Sequence, residues 1–166
     1  MLVFRTIRRF VYPLLLLLLA LVYAVVSHND GSRTVNDLVI TVPKGFNQTA
    51  SNTNYAKWEY KEKDKKPGIL ILDAQIKGER GQQFSTADEV LQDCDWMTDA
   101  ELYVNPQGIR MARGFSMQFS GYPERRYYVE SAGAVFLLRM IEDSRYYDSA
   151  DCEEAMKQTV DGIRRK

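Results

Sequence analysis

The chain has 166 residues, with 22 Lys and Arg against 22 Asp and Glu, for a formal net charge of zero. Arg5, Arg8, Arg9 and Asp30 precede Gly31, which leaves 19 cations against 21 acids beyond it and excludes the basic field of a nucleic-acid-binding module. Two cysteines, Cys94 and Cys152, and one histidine, His28, are too few for a structural zinc site and leave no base for a Ser–His or Cys–His nucleophile.

The first element is the uncharged run Phe10–Val26, FVYPLLLLLLALVYAVV. Its 17 residues cover about 26 Å as a helix, the short end of a membrane span. Tyr12 and Tyr23 lie near its two ends, and Pro13 sits in the first turn, where it costs little. The arginines before the run predict a cytoplasmic N-terminus at residues 1–9, a transmembrane helix at 10–26 and everything beyond it outside the cytoplasm. The alternative is a cleaved signal peptide ending at Val25-Val26-Ser27. The run is longer than the usual signal core, which favours an uncleaved anchor. The localisation expected is therefore the cell membrane, single-pass.

Residues 27–36, SHNDGSRTVN, read as a juxtamembrane linker, with His28 solvated in it. A domain at 37–166 follows, large enough to bury its own core. Asp37–Val42 is β-branched and closes on Pro43-Lys-Gly45, a strand and a turn. Asn47–Asn54 reads as a loop, with Asn47-Gln48-Thr49 matching the short glycosylation pattern. Tyr55–Lys61 alternates like a half-exposed strand, and the charged turn Glu62–Gly68 joins it to Ile69–Ile76 in a hairpin. The second of these strands is apolar on both parities, so both its faces need cover.

After a loop at Lys77–Gln83, Thr86 and Glu89 make a capping box. Ala87, Val90, Leu91, Cys94 and Met97 then form one apolar helical face. Glu101–Val104, the turn Asn105–Gly108 and the Ile109–Phe119 stretch begin an antiparallel meander. Ile109, Met111, Phe115, Met117 and Phe119 share one parity, and Arg110, Ser116 and Gln118 the other. Gly121–Glu124 turns the chain, Arg125–Glu130 returns it, and Ala134–Ile141 is again apolar on both parities. Ser149 caps a closing helix with Cys152, Ala155, Met156, Val160 and Ile163 inward and Arg164, Arg165 and Lys166 at its last turn.

This order gives an α+β fold, a mainly antiparallel sheet with one helix on each face, preceded by the transmembrane helix. One helix per face keeps Cys94 and Cys152 apart as buried free thiols, and a disulfide is the alternative if both helices share a face. Four features carry a likeness: the opening strand ending in Val42-Pro-Lys-Gly-Phe46, the helix after the third strand, the Tyr127–Ile141 hairpin and the closing helix from Ser149. In these the chain resembles the PsbP/Mog1-like proteins, which include small bacterial exported members. The likeness spans nearly all of Gly31–Lys166 and implies a binding or assembly role with no shared active site. The N-terminal run departs from the best-known members.

No phosphate-binding glycine motif is present, and no cofactor is expected. Asp93, Asp95 and Asp99 lack the alternating ligands of a calcium loop and read as a solvated face. The candidate partner-binding residues are Tyr122, Arg125, Arg126, Tyr128, Arg139, Tyr146 and Tyr147, since Tyr and Arg dominate protein interfaces. Sheet packing is the competing account of the tyrosines. Arg139 interrupts a strand apolar on both sides and cannot stay unpaired. If Ser131 stands opposite Ala134, Glu130 falls near Val135, and Arg125 and Arg126 fall beside Arg139. An acid on another strand such as Asp73, an escape to the rim, or an acidic patch on a partner would each answer that charge. The expected role is a membrane-tethered extracytoplasmic protein-binding or assembly module without catalysis. An immunity protein that neutralises a toxin at the membrane surface is the alternative, and a carboxylate-based hydrolase is third.

Overall fold

The structure, a computed structural model, describes residues 12–13, 16–18, 31–52, 55–60, 69–73, 83–117, 121–142 and 149–166. They fall into two compact units, Met1–Asp30 and Gly31–Lys166. The described residues of the first unit are helical and exposed. Among the described residues no helix is long and apolar enough to cross a membrane. The rest of the Phe10–Val26 run and His28 lie outside the described residues.

The second unit opens on a hairpin of β1 (Ser32–Val35) and β2 (Leu38–Thr41), with Val35 opposite Leu38. Asn36 takes φ +51° in the turn, a left-handed conformation that asparagine tolerates well. This corrects the linker reading for Ser32–Val35: Val35 is buried and Leu38 fully enclosed, so the segment packs rather than tethers. β3 (Phe46–Asn52) and β4 (Tyr55–Tyr60) follow, then β5 (Ile69–Asp73). β3 replaces the loop expected at Asn47–Asn54. Its Asn, Thr and Ser side chains are exposed, and as an edge strand it needs only the backbone ladder to β4, with a bulge between Gln48 and Ala50.

Helix α1 (Ala87–Asp93) is capped as its sequence dictates: Thr86 Oγ1 accepts from Glu89 N at 3.2 Å, and Ser85 N donates to Glu89 Oε2 at 2.7 Å. The meander is β6 (Thr98–Val104), β7 (Arg110–Ser116), β8 (Glu124–Ser131) and β9 (Ala134–Ile141). Ala132 and Gly133 both have positive φ, +48° and +77°, the two-residue turn whose twist suits a hairpin. Ser131 therefore stands opposite Ala134, and Arg126 opposite Arg139. Helix α2 (Ser149–Asp161) leads into β10 (Arg164–Arg165), which pairs with β2. Arg164 and Arg165 thus extend a sheet instead of finishing a helix.

The strands form two antiparallel sheets, of order β1-β2-β10 and β3-β4-β5-β9-β8-β7-β6. Alternation along β9 sorts the interior into two cores. Phe136, Leu138 and Met140 join Cys152, Met156 and Val160 of α2 with Leu38 and Ile40 of β2. Val135 and Leu137 point the other way, to Ala87 and Val90 of α1 with Trp96 and Tyr128. Cys94 and Cys152 consequently belong to different cores, and neither is in a disulfide, Cys152 buried and Cys94 half-buried. On β7 the parity reading needs correction. Met117 is 64% exposed, Ala112 is buried with Ala87 and Val90 of α1, and Ser116 on the same face is buried too.

Candidate functional site

On the α1 side of the sheet two guanidinium groups converge on one carboxylate. Arg126 and Arg139 are cross-strand partners, and Glu124 lies two positions from Arg126 on the same face. Arg126 Nε and Nη2 donate to Glu124 Oε2 at 3.0 and 2.6 Å, and Arg139 Nη1 approaches that oxygen at 3.5 Å. Glu124 is 0% exposed and Arg126 2%. Arg126 Nη1 also reaches the Tyr128 hydroxyl at 3.4 Å, which accepts from Trp96 Nε1 at 3.2 Å. The carboxylate answering Arg139 is thus Glu124, taken in the sequence as part of a turn. Asp73 pairs in register with Leu137, two positions from Ile71, which faces Arg139. Among the described residues, Glu124 Oε1 and Arg139 Nε have no hydrogen-bond partner.

On the opposite side, β6, β7 and β8 form with α2 a cleft of about 260 Å³. The turn Asn105–Gly108 puts Glu101 opposite Arg113 and Tyr103 opposite Met111. Arg113 lies 4.6 Å above the Tyr103 ring and donates to Glu101 Oε1 at 2.8 Å from Nε. Tyr103 and Tyr127 meet edge to face at 6.2 Å. The Tyr103 hydroxyl donates to Asp161 Oδ1 at 2.5 Å; that bond, then burial, pushes the phenol up to about 12. Burial raises Tyr127 as well, against the opposing pull of Arg113. For Arg113, burial acts downward, but bonds with Glu101 and Tyr127 outweigh it and hold the guanidinium charged.

The remaining cations of the cleft are also engaged. Arg125 pairs with Glu142, reaches Glu153 Oε2 at 3.4 Å and lies 4.7 Å above the Phe115 ring. Lys157 holds Asp161 at 3.2 Å. Gly114 forms part of the lining, where the bulged start of β6 crosses closely. A Cβ there would meet Thr98 O at 3.0 Å and Ala100 Cα at 3.3 Å. With protonated phenols and paired guanidinium groups, the cleft offers ring faces and hydrogen bonds in a fixed geometry.

The candidate residues separate between these two places. Arg125 lines the cleft, while Arg126, Tyr128 and Arg139 belong to the buried cluster on the other face, with Arg126 and Tyr128 enclosed. Tyr122 is half-buried in the turn before β8, and Tyr146 and Tyr147 lie outside the described residues. Sequence reasoning missed Glu101, Tyr103, Arg113, Glu153 and Lys157 as one group. The signal was in the Asn105–Gly108 turn, which sets the β6–β7 register. Asp93, Asp95 and Asp99 are exposed, and among the described residues no three His, Cys, Asp or Glu stand together as metal ligands.

No family model and no curated protein matches the chain. A solved structure from Bacteroides thetaiotaomicron is similar in fold, with a TM-score of 0.51 at 12% identity over 82% of this chain and 49% of that one. The chain therefore spans about half the length of that structure.

Proposed function

We propose that the chain is a membrane-tethered extracytoplasmic module that binds a protein partner through the cleft between α2 and β6–β8. The observation that carries this reading is the cleft's make-up: Tyr103, Tyr127, Arg113 and Arg125 are held by rings and ion pairs in an open concavity. Tyrosine and arginine pre-set in this way bind with little loss of side-chain freedom. The tether is supported by Phe10–Val26 behind three arginines and by the exposure of the helical Leu16, Leu17 and Leu18, apolar surface that lipid would cover. To the same reading belongs the finer architecture, a helix-faced sheet in the manner of the PsbP/Mog1-like proteins, whose members bind or assemble.

The test is capture from detergent extract with the full chain and a photo-crosslinker at Lys157, on the rim of the cleft. A partner captured by the wild type and lost with Tyr127→Ala, but retained with Asp93→Lys on the exposed face of α1, supports the cleft. Equal capture by the wild type and both variants refutes it. The immunity reading makes a separate demand, that the captured partner be a toxin whose activity the chain suppresses.

A further inference from the structure

Among the described residues the seven-stranded sheet ends at β6, and the direction of the backbone groups on its outer side can be read from the ladder. Asn105 N donates to Ile109 O at 3.0 Å, so Asn105 faces β7. Successive residues of a strand alternate. Tyr103 and Glu101 therefore also turn their N–H and C=O to β7, and Leu102 and Val104 turn theirs out of the sheet. The Ala132–Gly133 hairpin gives the same alternation from the other end of the ladder, because Ser131 and Ala134 flank its two-residue turn as a bonded pair. The side chains of Leu102 and Val104 are 42% and 51% exposed. An edge strand that shows two aliphatic side chains and four outward backbone groups lacks the usual charged protection at those positions.

We propose that this edge is where a second copy of the chain docks, by antiparallel β6–β6 pairing about a two-fold axis at Tyr103. The register follows from elimination. An axis at Glu101 sets two carboxylates directly opposite, which is repulsive. An axis at Val104 sets Leu102 against Pro106, which has no N–H to donate. An axis at Leu102 needs Ala100, inside the bulge between Thr98 and Glu101, where Asp99 has φ +53°. With the axis at Tyr103, Leu102 of each copy stands opposite Val104 of the other. Their outward groups then satisfy one another in four hydrogen bonds, and the exposed aliphatic side chains cover each other. Tyr103 meets its own copy, Glu101 meets Asn105, and like charges are nowhere opposed. The match is isologous and closes on itself, as a two-fold dimer must. Five residues per copy make a smaller contact than a standard interface, so the dimer forms with rising concentration.

The experiment uses the full chain in detergent, in a Cys94→Ser background, with Leu102→Cys and Val104→Cys made separately and given tags of different size. Opposed residues of a bonded pair lie about 5.5 Å apart, within disulfide reach, whereas Leu102 and its own copy are offset by two residues along the strand, about 7 Å at 3.4 Å rise each. Mild oxidation should therefore crosslink the mixture of the two variants and neither one alone. Leu102→Lys, at a side chain 42% exposed, should abolish the concentration-dependent dimer in light scattering while the chain keeps a cooperative melting transition. Failure of the mixture to crosslink overturns the proposal, as does self-crosslinking of either single variant, which signals another register. A chain that stays monomeric at high concentration and loses a foreign partner with Leu102→Lys also overturns it. The edge would then serve another protein's strand.

Discussion

Glu124→Gln tests the account of the buried ion cluster. The substitution keeps the side-chain volume and removes the charge that Arg126 Nε and Nη2 meet at 3.0 and 2.6 Å and Arg139 Nη1 meets at 3.5 Å. With Glu124 0% and Arg126 2% exposed, water cannot take over, and losing one member of a buried ion pair costs about 3–5 kcal/mol. In a unit the size of Gly31–Lys166, that is roughly 12–20 °C of melting temperature at about 4 °C per kcal/mol. Arg139→Met should cost much less, about 1 kcal/mol or under, because its side chain is 23% exposed and its contact is longer. The two effects must also couple. Once Glu124 is neutral, Arg139 is a second cation beside Arg126, so Arg139→Met becomes stabilising in the Glu124→Gln background. Urea unfolding of the full chain in detergent, followed by tryptophan fluorescence, reads both cores at once, since Trp58 lies in one and Trp96 in the other. A Glu124→Gln loss below about 1 kcal/mol, or an Arg139→Met effect of the same sign in both backgrounds, would refute the reasoning.

Three further outcomes are expected. Asn105→Ala removes bonds from Nδ2 to the carbonyls of Val160 and Ile163 at 2.9 and 2.8 Å, and to Oδ1 from Gln107 N and Ile109 N at 3.0 and 2.8 Å. Denaturant unfolding should show a loss of roughly 2–4 kcal/mol, the cost of stranding several buried backbone groups. The carboxyl of Asp37 is held below its ordinary 3.8, first by the Ser131 hydroxyl at 2.7 Å and also by Arg165. The stability it contributes is present above 3.8 and lost as pH falls through the lower folded value. Asp37→Ala should therefore be less stable than wild type at pH 7, and the gap should close in strong acid. Alkylation under native conditions should label Cys94 slowly, its thiol raised by burial and by Asp95 and Asp93, and leave Cys152 untouched. Denaturing, non-reducing alkylation should add two labels by mass, where a disulfide would accept none.

What the sequence disclosed was whatever local chemistry decides. Thr86 and Glu89 fixed the start of α1, and the heptad-like spacing of Cys152, Ala155, Met156 and Val160 fixed the inner face of α2. Alternation and the Ala132–Gly133 turn fixed the β8–β9 register, including the approach of Arg126 to Arg139. What it concealed were the pieces whose structure comes from a distant neighbour. β3 has no apolar face of its own and exists because β4 offers a ladder. β1 and β10 are strands because β2 lies between them. Glu124 follows a proline in a turn-like stretch, and only the covering of that end of the sheet turns it into a buried counter-ion. The cleft was hidden for the same reason: Glu101, Arg113 and Lys157 look like ordinary solvated charges until α2 lies across the meander.

The place of β5 beside β9 has a consequence for the order of folding. Between Thr98 and Ile141 lie four strands consecutive in sequence, each paired with the next, so this meander needs only contacts between neighbours in the chain. β5 must join it from afar, since Ile69 pairs with Ile141, 72 positions on. Closing a loop of that length costs about 4 kcal/mol by its logarithmic dependence on length, before the new contacts repay it. Contacts between distant residues form slowly, and the meander should assemble first. Until β5 arrives, β9 is an open edge carrying Phe136, Leu138 and Met140 on one side and Val135 and Leu137 on the other. For that interval the most apolar strand of the described residues is also the most adhesive, which makes the arrival of β5 the step at which aggregation competes with folding.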